Sequence, residues 1–355
     1  MTVPPPPAPP RPHRRAKIAV AVVALLLSVL GAGGSVVRIP YDSIAPGSAR
    51  RVDDLIKISG HPVYPSEGDV LFTTVSVREG VNLWEAVGGW LDRDVDVVHQ
   101  EDIRGPIPAD QYHQLNAAAM ADSKTSAEAV VLRHLGFPDL GGGAEVGTVD
   151  PELPAAQVLR PKDVLVAIDG RPISGPADAV PAIRAHRPGD EIRLGVVRDG
   201  GAPVELTTTL GRNEEGQALL GVTLSQKLKL PFEITIDSGT IEGPSAGLAY
   251  SLALIDELTP GELTGGTKVA VTGEIEPDGK VGAVGGVGQK VAAVRQTGDV
   301  VLFLVPKDNL GEAQAHAGDH LLVRAVDSFD EALKALAELP GSNATSLASS
   351  GAGQR

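Results

Sequence analysis

The run Gly243-Pro244-Ser245-Ala246-Gly247 constrains this chain most. Small residues on both sides of Ser245 permit a sharp turn that leaves its hydroxyl exposed. Upstream, Ile234-Thr235-Ile236-Asp237 reads as a strand. Downstream, Ser245 to Asp256 carries Ala and Leu at helical spacing, which sets Ser245 at a helix N-terminus. Val269 to Ile275 reads as a second strand ending in a turn. Gly282, Gly285, Gly286 and Gly288 then lead into a helix that carries Lys290. Strands alternating with helices in this way predict α/β architecture.

The same residues point to a chemistry. A serine hydroxyl is a poor nucleophile until a base takes its proton. No histidine lies between His186 and His316, whereas Lys290 follows Ser245 by 45 residues. A free lysine, with a pKa of ~10.4, is protonated at neutral pH. To act as a base it must be desolvated, and Val284, Val287, Val291 and Ala292 could form part of an apolar wall. Unpaired N–H groups at the helix start could stabilise an oxyanion. Taken singly, Lys290 reads as a surface lysine and Ser245 as a helix cap. Their combination argues otherwise.

Glu242-Gly243-Pro244-Ser245-Ala246-Gly247, Thr272-Gly273-Glu274-Ile275, and Gly285-Gly286 with Lys290 occur in that order. In this the stretch 216–339 resembles the proteolytic domain of the Lon family, Ser-Lys dyad peptidases. The resemblance implies Ser245 as nucleophile and Lys290 as general base. It gives Thr272 a place beside the lysine, and Glu242 and Ala246 supporting places in the serine motif. Glu242 stands where the family often has Asp, and Gly288 where it often has lysine. A competing interpretation takes Gly243-x-Ser245-x-Gly247 as the nucleophile elbow of an α/β-hydrolase, with Asp308 and His316 or His320 completing a triad. The segment before the serine does not supply the parallel strands which that fold requires.

Residues 125–212 resemble a PDZ domain. Leu159 to Gly170 matches its strand–turn pattern, Pro176 to His186 its groove helix, and Gly189 to Arg198 its closing strand. A PDZ groove takes an extended peptide as an added strand. Gly141-Gly142-Gly143 is placed near the carboxylate-binding loop, although the usual loop motif is absent there. Pro181 interrupts the proposed helix. A PDZ-like lid without a ligand of its own is the alternative.

The N-terminus differs from the rest. Residues 1–17 form a Pro-rich basic arm with Arg11, Arg14, Arg15 and Lys17, expected to be disordered. Ile18 to Val37 is 20 residues without a charge. As a helix this run is about 30 Å long, the thickness of a bilayer core. The basic flank keeps the N-terminus cytoplasmic and sets the rest outside. A single-pass anchor in the cell membrane, with the catalytic part extracytoplasmic, is therefore expected. A signal peptide cleaved at Ala32-Gly33-Gly34-Ser35 is the alternative, disfavoured by the length of the run. Residues 38–124 are assigned as an extracytoplasmic scaffold, and 341–355 as a disordered tail rich in Ser, Gly and Ala.

The expected fold class is therefore multidomain α/β and α+β: a transmembrane helix, a β-rich PDZ-like domain and a Lon-type α/β peptidase domain. The net charge of −14 argues against a nucleic-acid partner. No Gly-x-x-x-x-Gly-Lys-Ser/Thr phosphate loop occurs, so ATP-independent cleavage is expected. Neither a cofactor nor a metal is expected. The implied partners are unfolded or extended polypeptides and the membrane, and a homo-oligomer remains open. A non-catalytic membrane-tethered scaffold that keeps the peptidase fold is the competing function.

Overall fold

The computed structural model describes residues 21–23, 31–137, 140–344 and 346. The expected basic arm 1–17, residues 18–20 and 24–30 of the apolar run, and 347–355 of the expected tail 341–355 lie outside the described residues. The start of that tail is ordered and not disordered: Ala344 is buried in the core, and Ser342 Oγ donates to Leu263 O at 2.6 Å. Among the described residues no helix is long and apolar enough to cross a membrane.

The first elements are β1 (Tyr41–Arg51), β2 (Ile56–Ser59), β3 (Asp69–Arg78), α1 (Leu83–Leu91), β4 (Asp96–His99), α2 (Gln100–Arg104) and α3 (Ala109–His134). Then come β5 (Gly141–Val149), β6 (Val164–Ile168), β7 (Arg171–Pro172), α4 (Pro176–Arg184), β8 (Glu191–Val197) and β9 (Val204–Thr209). Three short or connecting strands follow: β10 (Gly211–Arg212), β11 (Ala218–Leu219) and β12 (Val222–Leu228). The last stretch holds β13 (Glu233–Ile236), α5 (Gly247–Leu258), β14 (Lys268–Val271), β15 (Glu274–Ile275), β16 (Val281–Gly282) and α6 (Val287–Thr297). It ends with β17 (Val300–Pro306), α7 (Leu310–Ala317), β18 (Leu322–Val326) and α8 (Phe329–Ala337).

The chain divides into two compact units, residues 1–46 with 75–107, and residues 47–74 with 108–355. In the first, Tyr41 to Ile44 pairs antiparallel with β4. Asp42 is buried and accepts from the Gly80 N–H and from Gln100 Nε2, each at 2.8 Å. Asn82 and Glu85 close a capping box at the start of α1, which fixes where that helix begins.

The second unit contains a parallel sheet in the order β18-β17-β14-β3. Successive side chains of a strand point to opposite faces. Val269 and Val271 of β14 accordingly join one apolar cluster with α3, α5 and α8, while Ala270 joins another with α6 and α7. Coverage on both faces explains why the central strands β14 and β17 are apolar apart from Lys268 at the start of β14. Helix α5 is buried along nearly its whole length, as its Ala- and Leu-rich sequence requires.

The β-rich part of this unit has the order β12-β5-β6-β8-β9 and its own core, including Leu165, Ile192, Leu194 and Val196. Helix α4 contains Pro181 on an exposed face, where the carbonyl left without a donor can reach water. Two placements differ from the division expected from sequence. Residues 125–134 belong to α3, whose Ala127, Val130, Val131 and Leu132 pack in the core shared with α5. Strand β12 lies in the β-rich sheet, paired antiparallel with β5, and not in the domain that follows.

Candidate active site

Ser245 sits one residue before the N-cap of α5, at the sharp turn anticipated from its small neighbours. Gly243 has φ 90°, a conformation that disfavours a side chain. The turn is held from two sides. From α3, Asn116 O accepts from Gly243 N at 3.0 Å, and Ser123 Oγ donates to Pro244 O at 2.9 Å. From the end of β14, Gly273 N donates to Ser245 O at 3.0 Å, and Gly273 O accepts from Leu248 N at 3.1 Å. A Cβ on Gly247 would meet Ser123 Oγ at 2.6 Å and Ile275 Cγ2 at 2.7 Å, so only glycine lets the loop approach this closely.

Lys290 lies in the second turn of α6, a helix entered through left-handed Gly286 at φ 66°. The residue is only 2% exposed. Its Nζ donates to Thr272 Oγ1 at 3.0 Å. Thr272 Oγ1 in turn donates to Ser245 O at 3.2 Å. Because the threonine proton is committed to that carbonyl, the hydroxyl accepts from the lysine. A neutral Nζ then keeps its lone pair for another proton. Burial pushes the Lys290 pKa down from 10.5 to about 7, against the opposing pull of the Glu312 carboxylate. Val287, Val291 and Ala292 are buried on the same helix, in line with the apolar wall expected from sequence.

Three of the residues singled out from sequence, Ser245, Thr272 and Lys290, are thus joined by one hydrogen-bonded path. The path reaches Ser245 at its carbonyl. Ala246 is buried at the N-cap of α5. Glu242 points elsewhere: it is exposed, and its Oε2 lies 2.9 Å from Nδ1 of His113 on α3. Sequence reasoning missed α3 and Glu312 altogether. Glu312 Oε1 accepts from Gly288 N at 2.9 Å, so α7 delivers a carboxylate to the start of α6. Gly288 itself leaves no free space, since a Cβ there would meet the His316 ring at 3.1 Å. His316 Nδ1 is engaged with Glu312 O at 3.0 Å. Among the described residues no hydrogen bond joins His316 or His320 to Ser245.

The β-rich domain places α4 against β5, β6 and β12. Among the described residues strand β12 is the edge of that sheet and pairs with β5 alone, and α3 also packs against it. Val222 and Leu224 pack against the domain core, and Gln226 Nε2 donates to Ser174 O just before α4 at 2.7 Å. The groove beside α4 therefore has β12 as its outer strand, while Gly141 and Gly143 of β5 approach Ser174 just before α4, where Gly143 N donates to Ser174 O at 3.2 Å. The alternation Leu220-Gly221-Val222-Thr223-Leu224 was the available signal.

Comparisons with known proteins agree with both parts. Residues 226–338 match the Lon protease (S16) C-terminal proteolytic domain, and residues 122–210 match the PDZ domain. The chain thus carries a Lon-type proteolytic domain preceded by a PDZ domain. Lon protease of Haemophilus influenzae is 35% identical over 126 residues, covering 34% of this chain and 15% of that protein. Lon protease of Clostridioides difficile is 30% identical over 161 residues, covering 41% of this chain and 20% of that protein. The chain therefore spans a fifth or less of these relatives' length. The PDZ domain of an SdrC-like protein from Listeria monocytogenes is 24% identical, covering 23% of this chain and 86% of that one, with a TM-score of 0.22.

Proposed function

We propose that this chain is a membrane-anchored, ATP-independent serine endopeptidase that uses Ser245 and Lys290 as a dyad. The observation that carries this proposal is the buried Lys290, with its pKa near 7 and its Nζ bonded to Thr272, which is itself bonded to Ser245. Ser245 Oγ attacks the scissile carbonyl while Nζ takes its proton. Nζ then returns the proton to the leaving amine, and an acyl-enzyme forms. Water attacks that ester with Nζ again as base, which releases the acid and restores the serine. The N–H groups of Ser245 and Ala246, just ahead of α5, would serve as oxyanion donors, since those of Gly247 and Leu248 already donate to Pro244 O and Gly273 O.

The PDZ domain captures extended polypeptide along the free edge of β12, beside α4. The chain runs from β12 through β13 to the Ser245 turn, so capture raises the effective concentration of substrate at the dyad. The uncharged run 18–37 with its basic flank supports anchoring, with the catalytic part outside. The full chain, in detergent and without nucleotide, should cleave an unfolded polypeptide. Binding of that polypeptide with no cleavage at any pH between 6 and 10 would favour the non-catalytic scaffold.

A further inference from the structure

Helix α1 in the first unit is turned inside out. Its buried residues are the small ones, Ala86 and Gly89. Its large apolar residues Leu83, Trp84, Trp90 and Leu91 are exposed, with Trp84 at 48%, Trp90 at 58% and Leu91 at 82%. Together with half-buried Val87 they fall at i, i+1, i+4, i+7 and i+8, the spacing of a single helix face. The chain has only two tryptophans, and both lie on this nine-residue helix. A soluble protein seldom leaves a stripe of this kind uncovered.

The position of α1 identifies what covers it. Trp84 Nε1 donates to Gly31 O at 3.0 Å, inside the uncharged run 18–37. A Cβ on Gly34 would meet Trp84 Nε1 at 2.8 Å, so the indole lies directly on that run. Immediately after the run, Arg38 bridges to Asn82, the N-cap of α1, and Arg38 Nη1 donates to Gly80 O at 2.6 Å. The exposed stripe is therefore fastened to the outer end of the apolar run. Indoles have an apolar body and a polar N–H, and they concentrate where hydrocarbon meets headgroups.

We infer that α1 is an interfacial helix that lies in the outer headgroup layer, inserting Leu83, Trp84, Trp90 and Leu91 beside the membrane anchor. The inference rests on reading residues 18–37 as an anchor. Asp92, Asp94 and Asp96 follow the stripe directly with Arg93 among them, three acids against one base for a net −2, so the surface it suits is zwitterionic and not anionic. Docked in this way, α1 holds the first unit at a fixed height above the bilayer.

The two tryptophans allow a direct test. The full chain is reconstituted into phosphatidylcholine vesicles, collected by flotation, and excited at a wavelength selective for indole. Its emission is compared in plain lipid and in lipid brominated near the headgroup or deep in the acyl chain. We expect a blue-shifted emission, with shallow bromines removing roughly half of it and deep bromines less, as an interfacial depth requires. Vesicles that float with the protein while emission stays unquenched would overturn the inference and leave the anchor standing. Blue-shifted, unquenched emission together with cross-linked dimers would assign the stripe to a second copy of the chain and equally overturn it. Stronger quenching by the deep bromines would place the helix in the hydrocarbon core and refute an interfacial position. Failure of the chain to float would overturn both the anchor and the inference.

Discussion

Replacing Lys290 with methionine should abolish cleavage and yet stabilise the protein. The lysine is 2% exposed, and its pKa falls from 10.5 to about 7 because of burial. Such a drop corresponds to about 5 kcal/mol of folding free energy given up when the site must be protonated. The sign follows from proton counting. Between about pH 7 and 10.5 the unfolded chain holds a proton on this lysine that the folded chain does not, so stability from this group rises with pH. Below pH 7 both states are protonated and the full cost is present. Methionine removes the charge and keeps most of the volume. Loss of the bond to Thr272 costs about 1 kcal/mol, and imperfect fit about as much again. The Lys290→Met chain should therefore be more stable by about 3 kcal/mol at pH 6.5, with the gap closing near pH ~9 and reversing slightly by pH ~10. Urea unfolding followed by circular dichroism measures this, since the helices of the second unit dominate that signal. A variant no more stable than the parent at pH 6.5, or a gap that does not narrow with pH, would refute the argument.

Four further outcomes follow from the same geometry. The acid limb of kcat should fall near pH 7, and Glu312→Gln should move it lower, because that carboxylate raises the lysine pKa; an upward or absent shift in the pH–rate profile would contradict this. Thr272→Val should lower kcat far more than it raises KM, since the threonine positions Nζ without touching substrate, and Thr272→Ser should rescue most of the loss. In the PDZ domain, burial pushes the Asp163 carboxyl up, but two bonds from Arg198 and one from the Arg160 N–H hold it below the usual range. Its stabilising effect is therefore present at neutral pH and lost as pH falls through the carboxylate range, and Asp163→Asn should cost about 3 kcal/mol at pH 7 in a denaturant titration. Adding unfolded polypeptide to the Ser245→Ala chain should slow hydrogen exchange in 222–228 and 176–184; protection confined to other segments would place the peptide elsewhere.

The elements around the dyad could be read from sequence because their signals are local. Glycines mark the turns at Gly243 and Gly286, and the apolar runs of β14 and β17 are those of strands covered on both faces. Helix α3 was not legible, since its N-terminal part is Ala-rich and polar and its buried residues are crowded toward its C-terminal end, from Met120 to Leu132. It was therefore cut at 125, although it braces the serine turn through Asn116 and Ser123. Strand β12 was assigned forward because nothing in a single strand states its pairing partner. Glu312 reaches Lys290 only through the packing of α7 on α6, so no spacing in the sequence announces it.

The claim that Ser245 and Lys290 form the catalytic pair is tested most directly by comparing four single variants of the full chain on one unfolded substrate without nucleotide. Ser245→Ala and Lys290→Ala should each lose all measurable cleavage while keeping the parent's circular dichroism spectrum, and His316→Ala and His320→Ala should cleave at close to the parental rate. Retained activity in Lys290→Ala together with loss in either histidine variant would contradict the dyad and restore a histidine-dependent hydrolase.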